Sequence, residues 1–331
     1  MEGFLVEVFS SSSACVHISK TIWHFAWQSV IASTIGILLC GPVTSAFAWG
    51  DEGHRIIAEI AYGRLQPDAL KTLEGILATD SDSLTSPGFV DRAIWADRWR
   101  DSDRNGQKVR YLATRQWHYA DIELVDGSLA RACNQFPLLP AGTLASNGPA
   151  NDCLVSKIEQ FVAELRSSNV SSSEKRLALK FLLHLVGDLH QPLHIADNND
   201  RGGNNVLILF GGRKATSTRL NLHPYWDTEL VSLLKVGKRE TAAETAQRLT
   251  AHFSTPQVEL WSQGTPRSWA METFTTGRDV AYNFLGTESR TLGGTSVLYL
   301  NATYNARALP VVRQQLMKAG LRLAAVLNTV H

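Results

Sequence analysis

The sequence predicts an all-α fold: a single mainly helical domain over residues 49–331, carrying a small β-hairpin. Three observations support this. Apolar residues recur at the helical period over long stretches, and runs with strand character are few and short. No repeat, low-complexity block or Pro/Gly linker divides the chain after residue 49. Helical spacing covers 53–65, 156–167, 174–189, 242–252 and 309–329. Ser171-Ser-Ser-Glu174 has the form of a capping box opening the central helix, and Pro192 marks that helix's end. The best strand run is 206–210; Gly211-Gly212 follows at once as a turn, which suits a hairpin on a helical body.

A chain of 331 residues with 44% hydrophobic content can bury a real core. A formal net charge of +1 excludes a protein that grips polyanions by bulk charge, so any contact with nucleic acid must rest on local groups such as a metal cluster. Residues 1–48 differ in kind. Their only carboxylates and ammonium groups are Glu2, Glu7 and Lys20, and a mostly apolar run over 30–40 leads to Gly41, Pro42 and then Ala46-Phe47-Ala48. Small residues at those last positions are what a signal peptidase reads, so the segment is expected to be a signal peptide whose removal leaves Trp49 first. The mature chain would then be secreted or periplasmic. An uncleaved anchor is the competing reading, although the apolar run is shorter than a membrane span. Once Cys15 and Cys40 leave with the leader, Cys133 and Cys153 remain as an even pair, which in an exported chain reads as a disulfide closing a loop rich in Pro, Gly, Asn and Ser.

Of the ten histidines, His17 and His24 fall in the leader, and five of the rest sit at defined spacings from carboxylates. In His184-Leu-Val-Gly-Asp188-Leu-His190-Gln-Pro-Leu-His194, His184 and Asp188 are four apart and project from one helix face. His223-Pro-Tyr-Trp-Asp227 repeats that spacing. Further candidates lie in Trp95-Ala-Asp97-Arg-Trp-Arg100 and Trp117-His118-Tyr119-Ala-Asp121. Imidazole and carboxylate together suit zinc and leave room for a bound water. Any one of these residues alone is more readily a hydrogen-bonded helix residue; the set is harder to explain so, because buried unpaired carboxylates are costly. In Trp49-Gly-Asp-Glu-Gly-His54, a free Trp49 amine and its own carbonyl would chelate a metal, or Trp49 simply packs.

In this order and at these spacings, with an Asp200-Arg-Gly-Gly-Asn204 loop between them, the motifs resemble the zinc-dependent single-strand-specific nucleases of fungi and plants, the S-one and P-one type. The resemblance implies the phospholipase C/P-one nuclease-like helical fold and three Zn2+ ions. It places Asp97, His118, His184 and Asp188 around one zinc, with Asp188 bridging to a second held by Trp49 and His54. His194, His223 and Asp227 would hold the third, and His190 would support the ligands or the fold. It further implies that Asp121 orients an attacking water acidified by two close ions, that the third ion stabilises the leaving 3′ oxygen, and that products carry a 5′ phosphate. Arg100 stands where the family usually has a lysine and would neutralise phosphate charge.

Tyr119 is the expected base-stacking platform, or else a core tyrosine, and Gly202, Gly203, Asn204 and Asn205 either let backbone approach the substrate or simply make a turn. Single-stranded DNA, single-stranded RNA and nucleotides are the expected substrates, with activity on 3′-nucleotides alongside. No stable protein partner and no membrane attachment are implied, and the mature chain is read as a monomer. A zinc phospholipase C is the nearest rival, though such enzymes usually place Glu where Asp227 stands. An exported zinc-binding protein without turnover is another, against which Asp121 and Arg100 count, since holding metal needs neither.

Overall fold

A computed structural model describes residues 49–210, 219–237, 239–286, 289–292 and 295–330. The predicted leader and the Gly211-Gly212 turn lie outside these residues. All the described residues belong to one compact unit, Ser45–His331.

Helices dominate. Those that build the core are α1 (Gly50–Tyr62), α2 (Trp95–Asp101), α3 (Leu154–Arg166), α4 (Ser172–Leu189), α5 (Ala242–Thr250) and α6 (Ala302–Leu327). In α1 the apolar positions Ile56, Ile57, Ile60 and Ala61 make one stripe, which is fully buried and faces α5 and α6. From Ala178 to Leu189 α4 is buried on every side, so it is the axis around which the other helices pack. Its apolar residues supply the core, and its two metal-type residues are therefore held in a fixed frame.

Three sequence expectations need correction. Ser171 Oγ accepts the Glu174 amide at 3.3 Å, but the reciprocal half of the capping box is missing. Glu174 turns instead to Ser146, taking its amide at 3.1 Å and its hydroxyl at 2.7 Å, because those donors on a neighbouring turn compete for the same carboxylate. The C-terminal helix starts at Ala302 rather than 309 and runs through Pro310. Asn301 caps it by accepting the Tyr304 amide at 3.1 Å, and buried Tyr304 is pinned by Trp226 Nε1 at 2.8 Å. The expected hairpin is part of something larger. Strands β1 (Ile122–Glu123) and β2 (Ala196–Asp197) pair in parallel, Ile122 against Ala196. Strand β3 (Leu207–Phe210) pairs antiparallel with β4 (Arg219–Asn221), and its other edge takes β6 (Thr295–Leu300) in parallel, with β5 (Ser289–Leu292) outermost. Pairing with a strand some ninety residues away leaves no signal in the local pattern.

Cys133 and Cys153 form the expected disulfide, with Cα atoms 5.1 Å apart and a sequence separation of 20. The enclosed loop has its own anchors. Lys157, fully buried, donates to Ala145 O at 2.8 Å and pairs with Asp152 at 3.1 Å, and Trp117 Nε1 donates to Pro149 O at 2.9 Å. Replacing both cysteines by serine is expected to cost about 3 kcal/mol from loop-closure entropy. A denaturation midpoint that does not move on substitution would mean that Lys157 and Trp117 restrain the loop unaided.

Candidate metal centre

The site is built around α4. His184 and Asp188, one turn apart, face the junction of α1, α2 and the turn carrying His118. Asp188 Oδ1 lies 3.2 Å from His54 Nε2; its Oδ2 lies 2.9 Å from His118 Nδ1 and 3.3 Å from His184 Nε2. Asp97 Oδ1 comes within 3.4 Å of His184 Nε2 and 3.5 Å of His118 Nδ1. Beyond the end of α4, His194 and His223 bring their Nε2 atoms to 3.1 Å, with Asp227 Oδ2 3.5 Å from His223 Nε2. All eight side chains are buried. Three groups result: His54, His184 and Asp188; Asp97, His118 and His184; His194, His223 and Asp227.

The donor atoms fit metal ions rather than one another. His184, His194 and His223 each commit Nδ1–H to a backbone carbonyl, of Ala93 at 2.7 Å, of His118 at 2.6 Å and of Gly202 at 2.6 Å. That fixes the tautomer and leaves each Nε2 lone pair turned into the site, the usual arrangement for a ligating histidine. His194 and His223 thus point two lone pairs at each other, which is repulsive unless a cation lies between them. His54 Nε2, His184 Nε2, Asp188 Oδ1 and Asp227 Oδ2 are buried without a hydrogen-bond partner. Such orphans are costly, and several converging ones are what a cation site requires.

Electrostatics agree. Burial first, then the nearby Arg100 guanidinium, push His118 down to about 4, so it stays a neutral donor. Burial also disfavours charge on His184, but Asp188 and Asp97 outweigh it and lift its pKa to about 10. Those carboxylates hold a proton where they would otherwise hold a cation. Burial, together with Asp188 and Asp97, keeps Asp227 well above the ordinary carboxylate range despite the hydrogen bond from Gln191. Three carboxylates so enclosed need positive charge.

The other predicted residues fall as follows. Trp49 is buried at the head of α1, its carbonyl accepting Gly53 N at 3.0 Å, and Gly50 lies against the Asp227 carbonyl, so this end of the chain reaches the site. Arg100 is buried at the site's edge, but its guanidinium grips Asp101 through two bonds at 3.0 and 2.9 Å and touches Asp97 at 2.6 Å. Protein carboxylates already occupy its fork. Asp121, half-buried at φ 51°, directly precedes β1, and the adjoining Ala120 amide donates to His194 O at 2.9 Å. Burial, then Asp197 and Glu123, push Asp121 up to about 8. Tyr119 is half-buried beside His118. Asn204 spends its amide on Arg201 O at 2.8 Å, and the Gly202 carbonyl serves His223, so the glycine-rich loop braces the third group. His190 stands outside the groups: Nδ1 donates to Val186 O at 2.7 Å and Nε2 accepts from Arg322 at 2.9 Å. Sequence reasoning missed Gln191, which is fully buried and donates to Asp227 Oδ1 at 2.5 Å. Its place between His190 and Pro192 was the only signal.

Fold and site together define a mostly helical protein whose buried histidines and aspartates are arranged to hold metal ions. The chain belongs to the S1/P1 nuclease family, whose sequence profile matches residues 49–331. It is 28% identical to Endonuclease 2 of Arabidopsis thaliana over 312 residues, covering 90% of this chain and 94% of that one. With Nuclease P1 of Penicillium citrinum it shares 27% over 290 residues, 86% and 98% of the two chains. With Nuclease S1 of Aspergillus oryzae the figure is 26% over 294 residues, 86% and 92%. The family consists of metal-dependent hydrolases acting on phosphodiester bonds of nucleic acid. Among the described residues no helix is long and apolar enough to cross a membrane.

Proposed function

We propose that this protein is an exported zinc endonuclease that matures by cleavage after Ala48 and hydrolyses single-stranded DNA and RNA to 5′-phosphate products, with 3′-nucleotidase activity alongside. One observation carries the reading: three buried His/Asp groups, two of them sharing His184, crowd unpartnered ligand atoms into one site. Asp97, His118, His184 and Asp188 would hold one zinc, with Asp188 also reaching a second held by His54 and by the amine and carbonyl of Trp49. His194, His223 and Asp227 would hold a third. Bound there, the ions supply Lewis acidity toward phosphate oxygens and acidify water near neutral pH.

The chain's own groups do the rest. Asp121 accepts a hydrogen bond from the attacking water and sets its line of approach to phosphorus. Arg100, locked onto Asp101, keeps Asp97 in place and adds positive field near the phosphate. Tyr119 gives an unstacked base a face to lie on, which a paired strand cannot present, and this is the source of single-strand preference.

The test is zinc content and turnover of a chain beginning at Trp49, on single-stranded DNA, duplex DNA and a phosphocholine ester. About three zinc ions per active chain and cleavage confined to the single strand are expected, one ion for each group. An active enzyme with one ion or fewer, or equal cleavage of the duplex, sinks the reading. Asp121→Asn is expected to lower turnover about 100-fold or more while zinc content holds; unchanged turnover would remove Asp121 from its role.

A further inference from the structure

The loop after β2 is held far more firmly than a surface turn needs. Asp197 Oδ1 accepts the Asp200 amide at 3.0 Å and the Gly202 amide at 2.9 Å, and Asp200 Oδ1 accepts the Gly203 amide at 2.7 Å. Buried Tyr282 donates to Asp200 Oδ1 at 2.8 Å, and the Asn199 amide donates to Glu123 at 3.1 Å. Gly202, at φ 59°, sits where any side chain would collide with the Leu193 carbonyl, and its own carbonyl fixes His223. Between these anchors Arg201 is held at φ 63°, in the left-handed region that non-glycine residues avoid. Such strain persists where the surroundings impose it, and it gathers at functional sites.

The side chain so presented is exposed, and no hydrogen bond or ion pair among the described residues engages its guanidinium. Its position is defined from two sides. The residue after it holds a histidine of the third group, and the strand before the loop pairs with β1, which begins one residue after Asp121. The charge of Arg201 is felt at both Asp121 and Tyr119. By contrast Arg100 is buried and occupied by carboxylates. One arginine is buried within the site; the other is exposed beside it, its fork unengaged among the described residues.

We propose that Arg201 binds a phosphate of the single-stranded substrate flanking the scissile one, and so favours oligonucleotides over substrates with a single phosphodiester. The inference rests on the nuclease reading above. A guanidinium fork matches two phosphate oxygens, and at the rim it meets the next phosphate along the strand rather than the one at the metals.

The test compares wild type, Arg201→Ala, Arg201→Lys and Arg201→Gly on a dinucleoside monophosphate and on hexathymidylate. In the Ala variant the KM for hexathymidylate, relative to that for the dinucleotide, is expected to rise about tenfold, with the effect in KM rather than kcat. Lysine should restore part of it, and the salt dependence of kcat/KM on the longer substrate should weaken by about one charge. Glycine suits the left-handed backbone, so Arg201→Gly separates loss of contact from loss of loop shape: it should match Ala in KM with no fall in melting temperature. An unchanged KM ratio, an equal loss on both substrates, or loss of zinc in the Gly variant overturns the proposal. A wild type that cleaves neither substrate overturns the nuclease reading instead.

Discussion

Asp188→Asn is expected to abolish hydrolysis, lowering kcat/KM by about 1,000-fold or more, equivalent to about 4 kcal/mol. The carboxylate approaches His54, His118 and His184 within 2.9 to 3.3 Å, so it belongs to one group and touches two histidines of the next. Asparagine keeps the shape but turns an amide donor toward a histidine lone pair and withdraws a negative charge from a site built to hold cations. Metal loss should follow, seen as a fall in zinc per chain by elemental analysis alongside turnover on single-stranded DNA. Full zinc content with full activity would show that Asp188 is only a buried hydrogen-bonding residue.

Gly187→Ala should act one residue away, by shape alone. A methyl group there would lie 2.7 Å from His54 Nδ1, 2.9 Å from its Cε1 and 3.3 Å from Ile57 Cδ1. Retreat would pull the ring off His184, on which it stacks at 3.8 Å between centroids. Alanine in a helix interior is ordinarily worth about 1 kcal/mol over glycine, so an unconstrained site would be stabilised. Overpacking instead predicts a loss of about 1–3 kcal/mol. Displacement of His54 should weaken metal binding or activity about 10- to 100-fold. The sign of the change in melting temperature decides: a rise with unaltered zinc content would mean that His54 tolerates the intrusion.

The legible part of the site was the part with short-range geometry. His184 and Asp188 could be paired on paper because residues four apart share a helix face, and the same spacing linked His223 to Asp227. The cysteine pair was legible because only two cysteines lie beyond residue 48. Less visible were contacts made by residues chosen for a distant partner. Glu174 carries a capping-box signature and serves Ser146 instead. Arg100 carries a phosphate role by family resemblance, and no local pattern shows that its guanidinium also grips Asp101. The glycine-rich loop reads as a turn that faces substrate, and nothing in its local pattern shows that it also braces His223 through the Gly202 carbonyl.

By itself the sequence determined a helical protein, the residues able to bind metal and their order along the chain. Only the tertiary structure decided that His118 meets Asp188 across 70 residues and that Ala93 orients His184 across 91. It likewise decided that Arg100 is buried and Arg201 exposed. The reason is physical: helical period and ligand chemistry are properties of neighbouring residues, whereas convergence on a common point depends on how whole helices pack around a shared core.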